Sequence, residues 1–295
     1  MHRVRLVFFL LILVVPLWAQ VRKPVSLQFT TNDDGMVIVP ITLGNAVQAH
    51  VFIDTGAGLD VFAPSLIEKA HGRPTGQFTG FRENGERLDL PLFVIPELRV
   101  GPIVRKNALV GSWAVFDKMH FDGIISMSDF RHQPFTFDFP HKQVVFESEK
   151  SLQERLHAGD KVPLKFDDFR GIALDMFGEF EIGGKPGLCE LDTGSPGSII
   201  STRYMAPLGI DENGKDVEKK VRKNIAGVTT TSYGATVPEI ALAAAPGVKQ
   251  VRPKVEFSDI IYDCAIGIHF WSGRPLTVDI PQRELVVGQM AEKHR

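Results

Sequence analysis

Two short runs carry the chain's clearest chemical pattern: Asp54-Thr55-Gly56-Ala57 and Asp192-Thr193-Gly194-Ser195. Each sets an acidic residue at the end of a strand-like segment and before a glycine turn. Thr can bond across such a loop, and Gly lets the backbone bend sharply. Two carboxyls brought together share one proton, because neighbouring carboxylates do not both ionise comfortably. The ionised oxygen can then activate a water as general base. Its protonated partner can polarise a carbonyl and later protonate a leaving nitrogen. That chemistry is amide hydrolysis without metal or covalent intermediate. The plainer alternative keeps both Asp as turn residues. It explains Asp-Gly but not the symmetric retention of the triplet.

The elements that must position these residues repeat with them. Val25-Ser-Leu-Gln-Phe29 returns as Val162-Pro-Leu-Lys-Phe166, and Phe52-Ile53-Asp54-Thr55-Gly56 returns as Glu190-Leu191-Asp192-Thr193-Gly194. Asp122-Gly123-Ile124-Ile125-Ser126 returns as Asp263-Cys264-Ala265-Ile266-Gly267, and Pro134 to Pro140 returns as Pro275 to Pro281. The offsets run from 137 to 141 residues and the order is kept, which marks a duplicated unit. A period this long excludes a solenoid and predicts two similar lobes about a pseudo-two-fold axis. Short Val/Ile/Phe/Thr runs alternate with turns rich in Gly and Pro, so the predicted class is all-β, with two barrel-like lobes. The first lobe is assigned to residues 25–147, a polar linker with one helical turn to 148–160, and the second lobe to 161–289. Asn84-Gly85 between two strand-like runs predicts a type I′ hairpin tip.

Composition excludes several other functions. The 295 residues carry a formal charge of −2, which gives no footprint for nucleic acid or an acidic membrane surface. The run Lys219, Lys220, Arg222 and Lys223 stands among acidic residues and reads as a solvated loop. The nine His lack the spacing of a metal site, so no metal or cofactor is expected. Thr193-Gly194-Ser195-Pro196-Gly197 misses the nucleophile elbow at its first Gly. At the start, Arg3 and Arg5 precede an apolar run from Leu6 to Ala19. Residues 1–19 therefore read as a secretory signal and predict export to periplasm or medium, with a retained anchor as the alternative.

With both triplets and the repeat in view, the chain resembles an aspartic protease of the retropepsin-like bacterial type, fused into a two-lobed, pepsin-like single chain. The resemblance implies an endopeptidase with Asp54 and Asp192 catalytic, acting on a peptide or protein substrate as a monomer, because one chain supplies both carboxyls. It implies that Thr55 and Thr193 each bond to the opposite loop, and that the Asn84-Gly85 hairpin is a flap over the substrate. Pepsins carry a flap Tyr. Here Phe81 is the nearest candidate for that role, or a packing residue of the hairpin. In the family two apolar residues and a Gly pack beneath each triplet. Ala265-Ile266-Gly267 matches, whereas Ser126 departs from the pattern in the first lobe. That departure is the feature favouring the rival reading, an inert peptide-binding module. A structural cell-envelope protein is a third.

The resemblance and strand parity together give finer expectations. Residues two apart share a face. Phe52 and Ile124 are thus expected to form an apolar wall, and Glu190 and Ala265 an acidic, roomier one, unless Glu190 is paired internally. Ser195 can offer a hydroxyl to Asp192 where Ala57 cannot, which makes Asp192 the ionised member. In the family the strands bearing Cys189 and Cys264 lie side by side, which implies a disulfide; two free buried thiols are the alternative.

Overall fold

The computed structural model describes residues 22–223, 227 and 229–290. The expected leader, residues 1–19, lies outside the described residues. The chain is mostly β and forms two lobes joined by a shared sheet.

In the first lobe an eight-stranded sheet runs from Thr30–Thr31 through Val37–Leu43, Val47–Ile53, Gly123–Ile125, Val61–Phe62, Ile103–Ser112 and Arg87–Val100 to Arg73–Phe81. A further pairing of Val37–Leu43 with Arg87–Val100 curls the sheet on itself. The strands alternate as a half-buried sheet should. Ala49, Val51 and Ile53 are buried while the residues between them are not. The second lobe repeats the plan in a ten-stranded sheet. The lysine-rich run is no loop there: Glu218–Lys223 pairs antiparallel with Thr229–Thr236.

A six-stranded sheet joins the lobes, with strands from each half. Its seam is the antiparallel pair Phe135–Asp138 and Pro275–Asp279, where Thr136 stands opposite Thr277. Their buried hydroxyls are 2.7 Å apart, and the two residues are 141 positions apart in sequence. The pseudo-two-fold axis passes between them. The linker is more ordered than one helical turn. Glu149–Ala158 is a full helix, started by a capping box in which Ser148 and Ser151 exchange side chain-to-backbone bonds.

The duplicated acids outside the triplets hold the frame. Asp122 accepts the backbone N–H of His50 at 2.8 Å, and Asp263 accepts that of Leu188 at 2.8 Å. Each thereby ties the strand that delivers a triplet to the strand beside it.

Two differences between the lobes are structural. Cys189 and Cys264 lie directly opposite on parallel strands, with Cα atoms 4.5 Å apart, and form a disulfide. The first-lobe counterparts are Val51 and Gly123, and Gly123 has no room for a side chain: its Cβ would stand 2.4 Å from the Val61 carbonyl oxygen. The other difference is Ser126. Its N–H and hydroxyl both donate to Asp60 Oδ1, at 2.8 and 2.9 Å. At the equivalent Gly267 a Cβ would lie 2.3 Å from the Gly197 carbonyl oxygen. Leu59 and Asp60 stand where the second lobe has Gly197 and Ser198, so the serine in the first lobe comes with its own acceptor.

Protein made under oxidising conditions should show no alkylatable thiol by mass spectrometry. Replacing both Cys by Ala should lower unfolding free energy by about 4 kcal/mol for a closed loop of 75 residues. Separately, Gly267→Ala should cost about 1–3 kcal/mol through overpacking. Ser126→Gly should cost about 1.5–3 kcal/mol through loss of a bond to a charged group. Urea denaturation checks both; a Gly267→Ala protein as stable as its parent contradicts the packing.

Candidate functional site

The two triplets meet at the lobe interface and are bound reciprocally through their threonines. The Thr55 N–H donates to Thr193 Oγ1 at 3.1 Å, and the Thr193 N–H donates to Thr55 Oγ1 at 2.9 Å. Each hydroxyl then donates across the interface: Thr55 to the Leu191 carbonyl at 2.5 Å, and Thr193 to the Ile53 carbonyl at 2.8 Å. Both side chains are buried, so all four bonds exclude water.

The glycines bring the acids together. The Gly56 N–H donates to Asp54 Oδ1 at 2.9 Å, and the Gly194 N–H to Asp192 Oδ1 at 3.0 Å. A Cβ on Gly56 would lie 2.8 Å from Asp192 Oδ1, and one on Gly194 would lie 2.5 Å from Asp54 Cγ. Each carboxyl therefore rests on the opposite glycine, and no larger residue fits.

The resulting pair is half-buried and electrostatically unequal. Burial first, and then the Asp192 charge, push the Asp54 carboxyl up to about 8. Burial also raises Asp192, but a hydrogen bond from Ser195 and one from the Gly194 N–H work against it. Ala57 offers Asp54 no such hydroxyl. Both carboxyls are thus raised by their surroundings, and only Asp192 has a side-chain hydroxyl working against the rise.

A cavity of about 340 Å³ opens over the pair. Its first-lobe wall is apolar, with Leu59, Val61, Leu90, Trp113 and Ile124. Its second-lobe wall carries Asp175, Glu190 and Tyr262. Burial raises Glu190 well above the ordinary carboxyl range, helped by the charge of Asp192. Burial and Asp167 lift Asp175 to about 6. The hairpin of Arg73–Phe81 and Arg87–Val100 roofs the space, and Phe81, 63% exposed, lines its rim.

The hairpin tip reaches beyond the cavity. The Glu83 carbonyl accepts the Ile261 N–H of the second lobe at 2.8 Å. The tip is not a two-residue type I′ turn. Gly85 N–H donates to the Arg82 carbonyl and Arg82 N–H to the Glu86 carbonyl, and Gly85 alone takes a positive φ, of 77°. This is a type I turn closed by a glycine bulge. The Asn84 side chain explains it by accepting the Glu86 N–H at 2.9 Å, which holds Asn84 out of the left-handed region.

Asp54, Gly56, Asp192, Gly194, Ser195, Phe81, Ile124 and Glu190 all face the cavity. Four expected residues do not. Phe52 packs instead on Phe121, with ring centres 4.7 Å apart. Ala265 is buried between Glu190 and Ile199 on neighbouring strands, and its methyl is too short to reach past them. Asn84 and Gly85 lie over the second lobe, where a Cβ on Gly85 would touch Ile261. Sequence parity also missed Asp175, Tyr262, Glu83 and Trp113, because loops and a second hairpin bring them in. Asp175 did carry a signal, lying two residues from Phe177, which pairs with Glu190.

Behind the first triplet lies a buried polar network that the sequence reading did not single out. Arg105 bonds Asp60 at 2.9 Å and also Asp129. Burial and the Asp60 charge push Asp129 up to about 8. One cation, Arg105, is thus shared between two buried carboxyls. Among the described residues no group of His, Cys, Asp and Glu is arranged to hold a metal ion.

No family model matches the sequence, and no curated protein matches it. Solved structures do match in fold. The chain superposes on the crystal structure of EDGP with a TM-score of 0.54 at 9% identity, over 91% of this chain and 95% of that one. It superposes on basic 7S globulin from soybean with a TM-score of 0.50 at 11% identity, over 92% of this chain and 96% of that one. These likenesses concern the fold alone and carry no sequence support for a retropepsin type. The architecture is the pepsin-like double barrel.

Proposed function

We propose that the chain is an endopeptidase in which Asp54 and Asp192 hydrolyse a peptide bond with one activated water. One observation carries this reading: two half-buried carboxyls, each resting on the opposite loop's glycine, meet at the pseudo-two-fold axis beneath a hairpin and open to a cavity. Asp192, ionised, takes a proton from the water as its oxygen attacks the carbonyl carbon. Asp54, protonated, gives its proton to the carbonyl oxygen. Collapse of the tetrahedral intermediate returns that proton to Asp54, and Asp192 passes its own to the leaving nitrogen. The glycine N–H groups hold the carboxyls in place, and the threonine bonds hold the glycines.

The substrate in this reading is an extended segment of peptide or protein. Arg73–Phe81 ends the first-lobe sheet, and such an edge can pair with an added strand. One chain brings both acids, so a monomer suffices. The disulfide fits export to an oxidising compartment. Ser126, which spoke for an inert binding module, has its hydroxyl bonded to Asp60 and leaves Asp54 in contact with Gly194. It therefore gives that alternative no support.

Asp54→Asn and Asp192→Asn should each lower hydrolysis at least about 10²-fold, because each carboxyl has its own proton role. Incubation with a mixed peptide library, with and without a pepstatin-type inhibitor, reads this by mass spectrometry. A rate above about a hundredth of the parent in either variant overturns the shared-pair mechanism.

The pH profile follows from the same pair. Activity needs Asp54 protonated, so it falls as pH rises through about 8. It needs Asp192 ionised, so it also falls as pH drops through that group's pKa. Ser195→Ala removes a bond to the charged form and raises that pKa. The acid limb of the pH–rate profile should move upward in Ser195→Ala. An unmoved limb removes the assignment of Asp192 as the base.

A further inference from the structure

Glu190 is a buried acid without a partner. Its residue is 4% exposed, and it lines the cavity beside the carboxyl pair. Among the described residues no hydrogen bond or ion pair reaches its carboxyl. The neighbours that raise it are all acidic: Asp192, Asp175, Asp54 and Glu83. The internal partner that a half-buried carboxylate calls for is missing.

Among the described residues the one cationic side chain lining the cavity is occupied elsewhere. Arg82 lies 5.8 Å over the Trp113 ring and 3.8 Å from Glu83. The walls thus differ in kind. The first lobe presents aliphatic and indole surface, while the second presents Glu190, Asp175 and the Tyr262 phenol. Tyr262 is itself fixed by an edge contact with Phe177, ring centres 5.1 Å apart. Glu190 stands two residues before Asp192 on a fully paired strand, so its carboxyl is held next to the reacting position.

We infer that the second-lobe wall is a subsite for a cationic side chain, Lys or Arg, of the bound peptide, with Glu190 as its anchor and Asp175 beside it. The link to cleavage rests on the hydrolytic reading above. The recognition itself does not. An ammonium or guanidinium entering this wall supplies the missing countercharge and draws Glu190 into its ionised form. A neutral side chain of the same length leaves the acid buried and unpaired. The opposite wall takes an apolar side chain on the other side of the scissile bond. Peptides with a basic residue next to the bond and an apolar one across it are therefore the preferred class.

Binding and cleavage are measured separately. Matched extended peptides carrying Lys, Gln or norleucine at a scanned position are titrated at neutral pH against the Asp54→Asn protein by fluorescence anisotropy. At one position Lys should bind about tenfold or more tighter than norleucine, with Gln between. Adding Glu190→Gln should bring the Lys-to-norleucine ratio down about tenfold. Asp175→Asn, on the same wall but less buried, should lower it several-fold. Thermal denaturation confirms that each variant is folded. A Lys-to-norleucine ratio near one in the Asp54→Asn protein, no measurable binding of any peptide, or a ratio unchanged when either further substitution is added overturns the subsite. Cleavage profiling of the unmutated chain runs alongside. If no peptide is cut while the Lys preference holds and falls in Glu190→Gln, the hydrolytic reading fails and the subsite stands.

Discussion

Two half-buried carboxyl groups set against each other do not both ionise comfortably, and this fold is built to keep them there. Left alone, such a pair would separate or hydrate. Here each acid is pressed on a glycine of the opposite loop, and each loop is pinned by a threonine bonded across the interface. Those bonds work because the strands carrying them are rigid. Asp122 and Asp263 tie each strand to its neighbour, and the Thr136–Thr277 seam sets the two lobes about one axis. Burial of the pair thus depends on contacts lying well outside the site.

Much of this was legible because duplication leaves a record within one chain. The triplets, the strands before them and the late apolar turns kept their order and spacing, so two lobes and a shared site could be read without coordinates. Local signals fared worse wherever a side chain competed with the backbone pattern. Asn84-Gly85 has the composition of a type I′ turn, yet Asn84 bonds to the Glu86 N–H and a different turn forms. Strand parity gave Glu190 its direction. It failed at Phe52, where Phe121 covers that face, and at Ala265, where the neighbouring side chains are longer. Parity states which way a side chain leaves the strand, not what already occupies the space.

Ser126 shows what comparing the halves can still yield. It looked like a defect when set against Gly267 alone. Set beside a second difference, Asp60 for Ser198, it becomes one member of a matched pair. The second lobe keeps a glycine because the Gly197 carbonyl fills the space. The first lobe opens that space and fills it with a serine–aspartate–arginine chain ending at Asp129. The second lobe gained its own brace instead, the disulfide three residues before Asp192. The two acids are alike, but their supports are of different chemical kinds.

The bond between the Glu83 carbonyl and the Ile261 N–H has a consequence of its own. It fastens the roof of the cavity to the opposite lobe. If entry of a peptide required this bond to open, the apparent affinity of every ligand would be scaled by the same open fraction. Such a latch would weaken all peptides alike, while the contrast between the two walls would decide among them. How avidly the chain binds and how finely it discriminates would then be set by separate parts of the molecule.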